Sequence, residues 1–245
     1  MSVSARMSTK SLALTITFTA LYVVFGFIKI SPIIGLPGQA ITAAAIMAPL
    51  AGMLLGPYVG TLSTLLGGTI GFFFGSLSVS SFFSGSAAAL VAGLVRARKR
   101  FISVIVYSLL FLVLFFYPVI GPVWLFPMVS WLQIVGFLIL ASPLQTVAAR
   151  NLDSNSNSRL LWAFFLVCLA STLAGQIAGS LALAIMLIPD VTIWTATWEA
   201  ITFIYPVERV LIAVFSTLLG ASLYRFLKST NFLPGYVEKR ETRVL

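Results

Sequence analysis

Long apolar segments follow one another along almost the whole chain, separated by short joins. An α-helix needs about 20 apolar residues to cross about 30 Å of hydrocarbon, and runs of that length favour helices over strands. Eight segments approach this length: residues 11–30, 39–55, 58–75, 80–95, 101–117, 123–148, 160–188 and 200–227. The fourth is short enough to span only partly. The pattern predicts an all-α, polytopic membrane helix bundle with six to eight transmembrane helices.

The joins are rich in Pro and Gly, which end helices and form turns. Residues 151–158 (NLDSNSNS) are polar and are predicted to form a flexible cytoplasmic linker, and residues 229–245 a short basic cytoplasmic tail. Residues 101–148 have the pattern of a helical hairpin. The first apolar segment has no obvious small-residue cleavage site after it, so it is predicted to be retained as a span.

Composition supports a membrane protein without a separate soluble domain. Of 245 residues, 60% are apolar and 9% charged, and the mean hydropathy is +1.07. Soluble domains are about 45–50% apolar and about 25% charged. A chain of this size cannot hide so much apolar surface from water, so residues 1–245 are predicted to form a single integral membrane domain.

The net charge of +9 predicts orientation rather than nucleic-acid binding, because the basic residues cluster at the ends of apolar segments. Cytoplasmic loops of membrane proteins carry an excess of Lys and Arg. With a cytoplasmic N-terminus, 13 of the 15 Lys and Arg residues lie inside, and only Lys29 and Arg209 lie on the outer half. The prediction is a multi-pass protein of the plasma membrane with both termini cytoplasmic, and no nucleic-acid partner.

Residues for familiar catalytic chemistry are scarce. The chain has no His, the commonest general base, and its one cysteine, Cys168, lies in an apolar run. It contains no G-x-x-x-x-G-K-[ST], H-E-x-x-H, C-x-x-C or G-x-S-x-G motif. We therefore predict no enzymatic activity, no metal site and no cofactor. Energy for any transport has to come from a partner or from an ion gradient.

Charged and aromatic residues gather near the predicted outer face, and charge beside an apolar span indicates function. Adjacent residues on a helix point about 100° apart, so Glu208 and Arg209 are not explained as a mutual surface pair, and at least one is expected to face the interior. The nearby aromatic residues fit either an interfacial belt or the walls of a pocket. The predicted substrate-binding residues are Lys29, Gln39, Trp194, Trp198, Glu199, Tyr205, Glu208 and Arg209. Gln176 is a further uncharged candidate.

Small residues recur at every fourth position, as in Gly67, Gly71 and Gly75, and such spacing lets helices approach closely in lipid. This spacing fits packing within the bundle or contact with a partner subunit. The first span carries two such stripes, which are predicted to dock a partner: Ser11, Thr15 and Thr19 form one, and Ala13 and Thr17 the other.

Two stretches resemble the substrate-binding S components of energy-coupling factor transporters for vitamins. Residues 41–75, ITAAAIMAPLAGMLLGPYVGTLSTLLGGTIGFFFG, are similar to that family's second span with its Gly-Pro turn and its Gly-rich third span. Residues 205–227, YPVERVLIAVFSTLLGASLYRFL, resemble its last span. Two features depart from the family: residues 101–148 add a hairpin to the usual six spans, and the first span lacks the frequent Ala-x-x-x-Ala docking stripe.

The resemblance implies an outward-facing ligand pocket, a gating loop at residues 31–38, and partnership with a membrane coupling subunit and two ATPase subunits. The expected function is uptake of a vitamin or similar micronutrient. One alternative is a self-sufficient secondary transporter, for which Glu208 is the plausible coupling residue. Another is a membrane scaffold that uses its glycine faces and binds no ligand.

Overall fold

The computed structural model describes residues 9–33, 38–118, 120, 123–186, 190–230 and 232, except for the side chains of residues 123 and 128. Within this part of the chain there are ten α-helices, one 3₁₀ turn at Val123–Leu125 and one two-stranded ribbon. The first five helices are α1 (Thr9–Gly26), α2 (Ala44–Leu55), α3 (Pro57–Phe73), α4 (Val79–Arg96) and α5 (Arg100–Phe116). The others are α6 (Pro127–Ala141), α7 (Pro143–Asn151), α8 (Asn157–Met186), α9 (Val191–Ile201) and α10 (Ile204–Ser229).

The helices begin and end where the sequence supplies caps and breaks. Gly56 has a φ of +85°, which lets the chain turn between α2 and α3, and Pro57 starts α3 at a position where its missing N–H costs nothing. The Ser78 hydroxyl accepts a hydrogen bond from the Ser81 amide (3.1 Å) and caps α4. Ser142 and Pro143 separate α6 from α7, which are bent by 70°.

Helix α4 lies at the centre of the bundle and packs against α2, α3 and α8, while α8 also packs against α10. The contacts with α4 are close because glycines face backbone. Gly52 of α2 lies against Ala89 of α4, and Gly93 lies against Pro57. Gly67 lies against Tyr22 and Thr19 of α1. These glycines therefore serve packing inside the bundle, one of the two uses that their spacing predicts.

The predicted all-α bundle is confirmed. Among the described residues, four helices are long and apolar enough to cross a membrane: α1, α4, α8 and α10, of 18, 18, 30 and 26 residues. The bent pair α6 and α7 can form a fifth span. The count of six to eight stays a prediction, because it also requires shorter apolar helices such as α2 and α5, of 12 and 17 residues.

Four predicted segments differ from the structure, one of which, segment 200–227, is broken between Ile201 of α9 and Ile204 of α10. The ends of segments 11–30 and 39–55 form an antiparallel ribbon of β1 (Lys29–Pro32) and β2 (Ala40–Thr42). This stretch contains four Ile, which favour strands, and two Pro, which disfavour helix. Segment 123–148 is broken at Ser142. Residues 34–37 of the predicted gating loop, and all of the predicted tail except 229, 230 and 232, lie outside the described residues.

One end of the bundle gathers basic side chains, and we call it the basic end: Arg96, Arg98, Lys99, Arg100 and Arg225. Segment 151–158 lies here and is more ordered than a flexible linker, because α7 reaches Asn151, α8 begins at Asn157, and Asp153 between them contacts Arg96. The prediction of a flexible linker is thus wrong. A buried guanidinium needs an anionic partner, which the loop supplies. The side of the membrane on which this end lies stays a prediction.

Candidate functional site

A cavity of about 50 Å³ lies between α1, α2, α4, α8 and α10, and residues at the base of the ribbon complete its wall. Small residues make room for it, chiefly Ala44, Ala45, Ala48, Gly85, Ala88 and Gly179. Hydroxyl groups supply much of its polarity, from Thr42, Ser80, Ser81, Ser84, Thr172 and Ser180. A cavity of this volume holds a few water molecules. Its polar lining is unusual inside a bundle whose outer surface is apolar.

The α8 wall contributes two polar groups that are buried and unpartnered. Thr172 and Gln176 lie one helical turn apart and are 3% and 5% exposed. Among the described residues, neither Thr172 Oγ1 nor Gln176 Oε1 has a hydrogen-bond partner. A buried polar group without a partner costs about 1–3 kcal/mol, and a bilayer supplies no water to relieve it. These two atoms therefore favour a polar molecule in the cavity.

The α10 wall contributes Tyr205 and Arg209, again one turn apart. The Arg209 guanidinium lies over the Tyr205 ring, 5.3 Å from its centroid. Arg209 Nη2 is 3.2 Å from Glu208 Oε1, and both residues are more than nine-tenths buried. The two residues thus face the interior, as expected for at least one of them, and they also pair there. The long side chains bridge the angle between adjacent helix positions.

This ion pair leaves hydrogen-bonding capacity unused. The contact between Arg209 and Glu208 does not have hydrogen-bond geometry, so both Glu208 carboxylate oxygens and Arg209 Nε are buried without a hydrogen bond in the described part of the chain. Opposite charges at this distance attract each other. The guanidinium nevertheless retains free donors, and it borders the cavity. Arg209 can therefore bind a ligand without losing its contact with Glu208.

The α4 wall begins at the first turn of that helix. Ser80 donates a hydrogen bond to the Gly179 carbonyl (3.3 Å), and the Tyr22 hydroxyl donates to the Ser81 carbonyl (3.1 Å). Tyr22 lies directly against Gly85, where a Cβ atom would collide with the tyrosine hydroxyl. Because α4 begins here, the positive end of its dipole is on this side of the cavity.

Three of the eight predicted substrate-binding residues lie at or beside the cavity: Tyr205 and Arg209 line it, and Glu208 pairs with Arg209. Lys29, Gln39 and Glu199 are exposed and do not line it. Sequence reasoning missed Tyr22 and the hydroxyl groups of α4. A signal for the latter was present, since six serines lie between residues 76 and 86.

The two predicted tryptophans pack within the protein and do not line the cavity. Trp194 and Trp198 of α9 are 3% and 1% exposed, and their ring centroids are 5.5 Å apart. Trp198 Nε1 donates a hydrogen bond to the Ile120 carbonyl (3.1 Å).

Asp190 precedes both tryptophans in the chain and caps the N-terminus of α9. Hydrogen bonds from the Thr192 hydroxyl, and then from the backbone amides of Thr192 and Ile193, lower the pKa of Asp190.

We expect Trp198→Phe to lower the free energy of unfolding by about 1–3 kcal/mol, because it leaves the buried Ile120 carbonyl without its donor. Ligand affinity stays unchanged, since Trp198 does not line the cavity. Chemical unfolding in detergent and a binding titration measure the two quantities. A loss of affinity at unchanged stability contradicts this assignment and restores the predicted stacking role.

The predicted docking stripes of α1 face different ways. Thr15 and Thr19 are buried, and Thr19 donates a hydrogen bond to the Ser63 carbonyl of α3 (3.2 Å). Ser11 is half-buried at the start of the same stripe, where its carbonyl accepts from Thr15 (2.7 Å). Ala13 and Thr17 are exposed. Only this second stripe is accessible to another subunit.

Comparison with known proteins gives one informative similarity. The chain is 27% identical over 148 residues to a protein of Methanocaldococcus jannaschii named "putative permease", covering 60% of this chain and 31% of that protein. The chain thus spans about a third of that relative's length. No family model matches, so the resemblance to S components stays a prediction. No solved structure matches significantly. The chain is a multi-pass membrane protein with sequence similarity to a protein named "putative permease".

Proposed function

We propose that this chain is the membrane-embedded substrate-binding subunit of an uptake system for a vitamin or similar small micronutrient, and that the cavity is its binding site. The observation that carries the proposal is that three residues lining the cavity each have a buried polar atom without a hydrogen-bond partner among the described residues: Thr172 Oγ1, Gln176 Oε1 and Arg209 Nε. Polar groups left unpaired within a membrane domain are expensive, and those of transporters bind substrates or ions. Similarity to a permease supports transport as the broader activity.

In this proposal the ribbon moves to admit the ligand. The cavity holds only a few waters, whereas sites for drug-sized ligands measure about 300–1,000 Å³. Residues of five helices form most of the wall. Of the remaining lining residues, Ile41 and Thr42 belong to β2, and Ile33 follows β1. A two-stranded ribbon is the least stable element in this wall, because isolated ribbons are marginal. Its displacement is the easiest way to enlarge the cavity.

Energy comes from partner subunits in this proposal. The sequence carries no phosphate-binding loop, and we assign ATP hydrolysis to two ATPase subunits that act through a transmembrane coupling subunit. That subunit docks on the exposed stripe of Ala13 and Thr17. Close approach at small residues is a main source of attraction between helices in lipid. The basic end faces the cytoplasm, in accordance with the excess of Lys and Arg there.

The first experiment identifies the ligand. The full chain is purified in mild detergent and denatured, and the released small molecules are identified by mass spectrometry against a mock preparation. A stoichiometric small molecule supports the proposal and names the substrate. An empty preparation, together with no saturable uptake by cells that express the chain with its candidate partners, contradicts it.

A pair of glutamine variants tests whether the cavity is the binding site. Gln176→Leu is expected to weaken ligand binding at least tenfold, or about 1.4 kcal/mol, because it removes a polar group that lines the cavity. Gln145→Leu is the matched control. Gln145 also has a buried, unpartnered Oε1, but it lies in α7 away from the cavity. Equal losses of affinity in the two variants argue against the cavity as the site.

A second candidate function, proton-coupled secondary transport, is favoured by the Glu208 carboxylate. This carboxylate is 7% exposed within a spanning helix, and both of its oxygens lack hydrogen bonds among the described residues. Purified chain in liposomes without partners distinguishes the two functions. Uptake driven by an imposed pH gradient, and lost in Glu208→Gln, establishes the secondary transporter. Uptake that requires ATP and added partner subunits supports the leading proposal.

A further inference from the structure

The charges around the cavity are distributed asymmetrically. Among the described residues that line it, Arg209 is the one with an ionised side chain, and no carboxylate lines it. Glu208 neutralises part of the Arg209 charge from outside the lining, at 3.2 Å. A cationic group in the cavity is therefore repelled by the Arg209 guanidinium, which lines the cavity, whereas the Glu208 carboxylate does not line it. An anionic group is attracted by the guanidinium.

Arg209 has the geometry to bind such a group. Its Nε is buried and unpartnered, and its contact with Glu208 lacks hydrogen-bond geometry. A guanidinium can donate two parallel hydrogen bonds to a carboxylate through Nε and one Nη. The Ser84 hydroxyl of α4, which also lines the cavity, adds a further donor.

The α8 wall requires a hydrogen-bond donor from the ligand, whereas Arg209 requires an acceptor. Gln176 Oε1 is an acceptor only, and it lacks a donor among the described residues. Thr172 Oγ1, one turn away, is also unpartnered and can accept or donate. A ligand that satisfies this wall carries an N–H or O–H group. The two walls thus place different chemical demands on the same small molecule.

We infer that the substrate is a small carboxylic acid that also carries an N–H or O–H donor, with its carboxylate bound to Arg209 and its donor bound to Gln176 Oε1. This inference rests on the proposed function and narrows its substrate class. Acids of this kind include amino acids, N-acyl amino acids and hydroxy acids. Neutral sugars and amines without a carboxylate do not satisfy Arg209.

The first part of the test determines the chemistry of the released molecule. Acid-catalysed methylation of the ligand from the denatured protein adds one methyl group per carboxyl group, which mass spectrometry detects. We expect at least one added methyl group from esterification. A retained molecule with no carboxyl group overturns the inference and leaves the proposed function intact. The inference about the substrate class can therefore fail while the proposed function holds.

The second part needs no retained ligand. The probes are the twenty amino acids, their N-acetyl derivatives, the corresponding α-hydroxy acids and the methyl esters of all three series. Thermal unfolding of the purified chain reports binding. We expect at least one acid to stabilise the protein and its methyl ester to bind at least tenfold more weakly. If the retained compound is an acid, the same comparison is made with its own methyl ester. Equal binding of acid and ester, or no stabilisation by any acid when none is retained, overturns the inference.

Variants at positions 208 and 209 test whether Arg209 causes the preference for the acid over its methyl ester. Because Arg209→Gln alone leaves Glu208 as an unpaired buried charge, the main variant is the E208Q/R209Q double replacement, which removes both charges and keeps a polar side chain at each position. We expect this variant to remain folded and to lose the tenfold preference for acid over ester. Arg209→Lys keeps the charge but cannot donate two parallel hydrogen bonds to one carboxylate. We expect this variant to have an intermediate preference for the acid over its ester. Full preference in the double variant overturns the role of Arg209.

Discussion

Asp153→Ala is expected to lower the free energy of unfolding by about 3 kcal/mol, because it leaves the buried charge of Arg96 without its anion. Arg96 Nη1 lies 2.6 Å from Asp153 Oδ1, and the Arg96 side chain is 6% exposed. Asp153 also accepts a hydrogen bond from the Tyr224 hydroxyl (3.0 Å). The cluster joins α4, the loop between α7 and α8, and α10. We place the effect at the low end of the range for buried pairs because Asp153 is itself 31% exposed.

Two further variants separate the ion pair from a general effect of losing an acidic residue. Glu199→Ala removes an exposed carboxylate of α9, and we expect a change within about 0.5 kcal/mol. The R96M/D153A double replacement removes both charges and keeps the apolar volume of Arg96, so it is expected to regain most of the lost stability. Chemical unfolding in detergent, followed by circular dichroism, measures all three variants. Equal effects of Asp153→Ala and Glu199→Ala contradict the prediction.

Gly52→Ala is expected to destabilise the protein by about 3 kcal/mol, the upper end of the range for overpacking. The added Cβ would overlap the carbonyl oxygen of Ala89 and lie 2.9 Å from the Gly93 amide nitrogen. Both obstacles are backbone atoms of α4, so no side chain can rotate away. Helices α2 and α4 therefore have to move apart. Because both helices line the cavity, this movement also changes the cavity wall.

The control for this variant adds volume where there is room. Ala20→Val enlarges an exposed position of α1, and we expect unfolding stability to change by no more than about 0.5 kcal/mol. Thermal unfolding and the yield of monodisperse protein in detergent measure both variants. Wild-type stability in Gly52→Ala would show that α2 and α4 lie farther apart than described.

Sequence length and hydropathy were sufficient to predict most of the helices, but not α9 or the break between α6 and α7, and not which helix faces lie inside. Segments 58–75 and 160–188 closely match α3 and α8, because the length of an apolar run fixes the length of a span. In lipid, however, the outer face of a helix is as apolar as the inner one, so hydrophobic periodicity does not mark the core. Only small and polar residues mark it, as Gly52 and Gln176 do.

The site was predicted in part for the same reason. Charge is rare in spanning helices, so Glu208 and Arg209 stood out, and both lie at or beside the cavity. Hydroxyl groups can satisfy themselves on their own helix, which makes Ser84 and Thr172 inconspicuous in sequence. Trp198 fits a belt, a pocket or a core equally well, and only its contact with Ile120 distinguishes them.

The length of α8 determines the depth at which the Arg96–Asp153–Tyr224 cluster lies. Its 30 residues measure about 45 Å along the axis, and even a steep tilt of about 40° leaves it longer than a hydrocarbon layer of about 30 Å. At least about a turn of α8 therefore projects beyond the hydrocarbon. The polar first turn, with Arg159, is the part suited to do so, and the loop with Asp153 lies just before it. We expect the cluster to lie near the lipid headgroups, where salt and anionic lipids reach Asp153, the more exposed partner. The strength of the Arg96–Asp153 pair is then expected to depend on the composition of the surrounding leaflet.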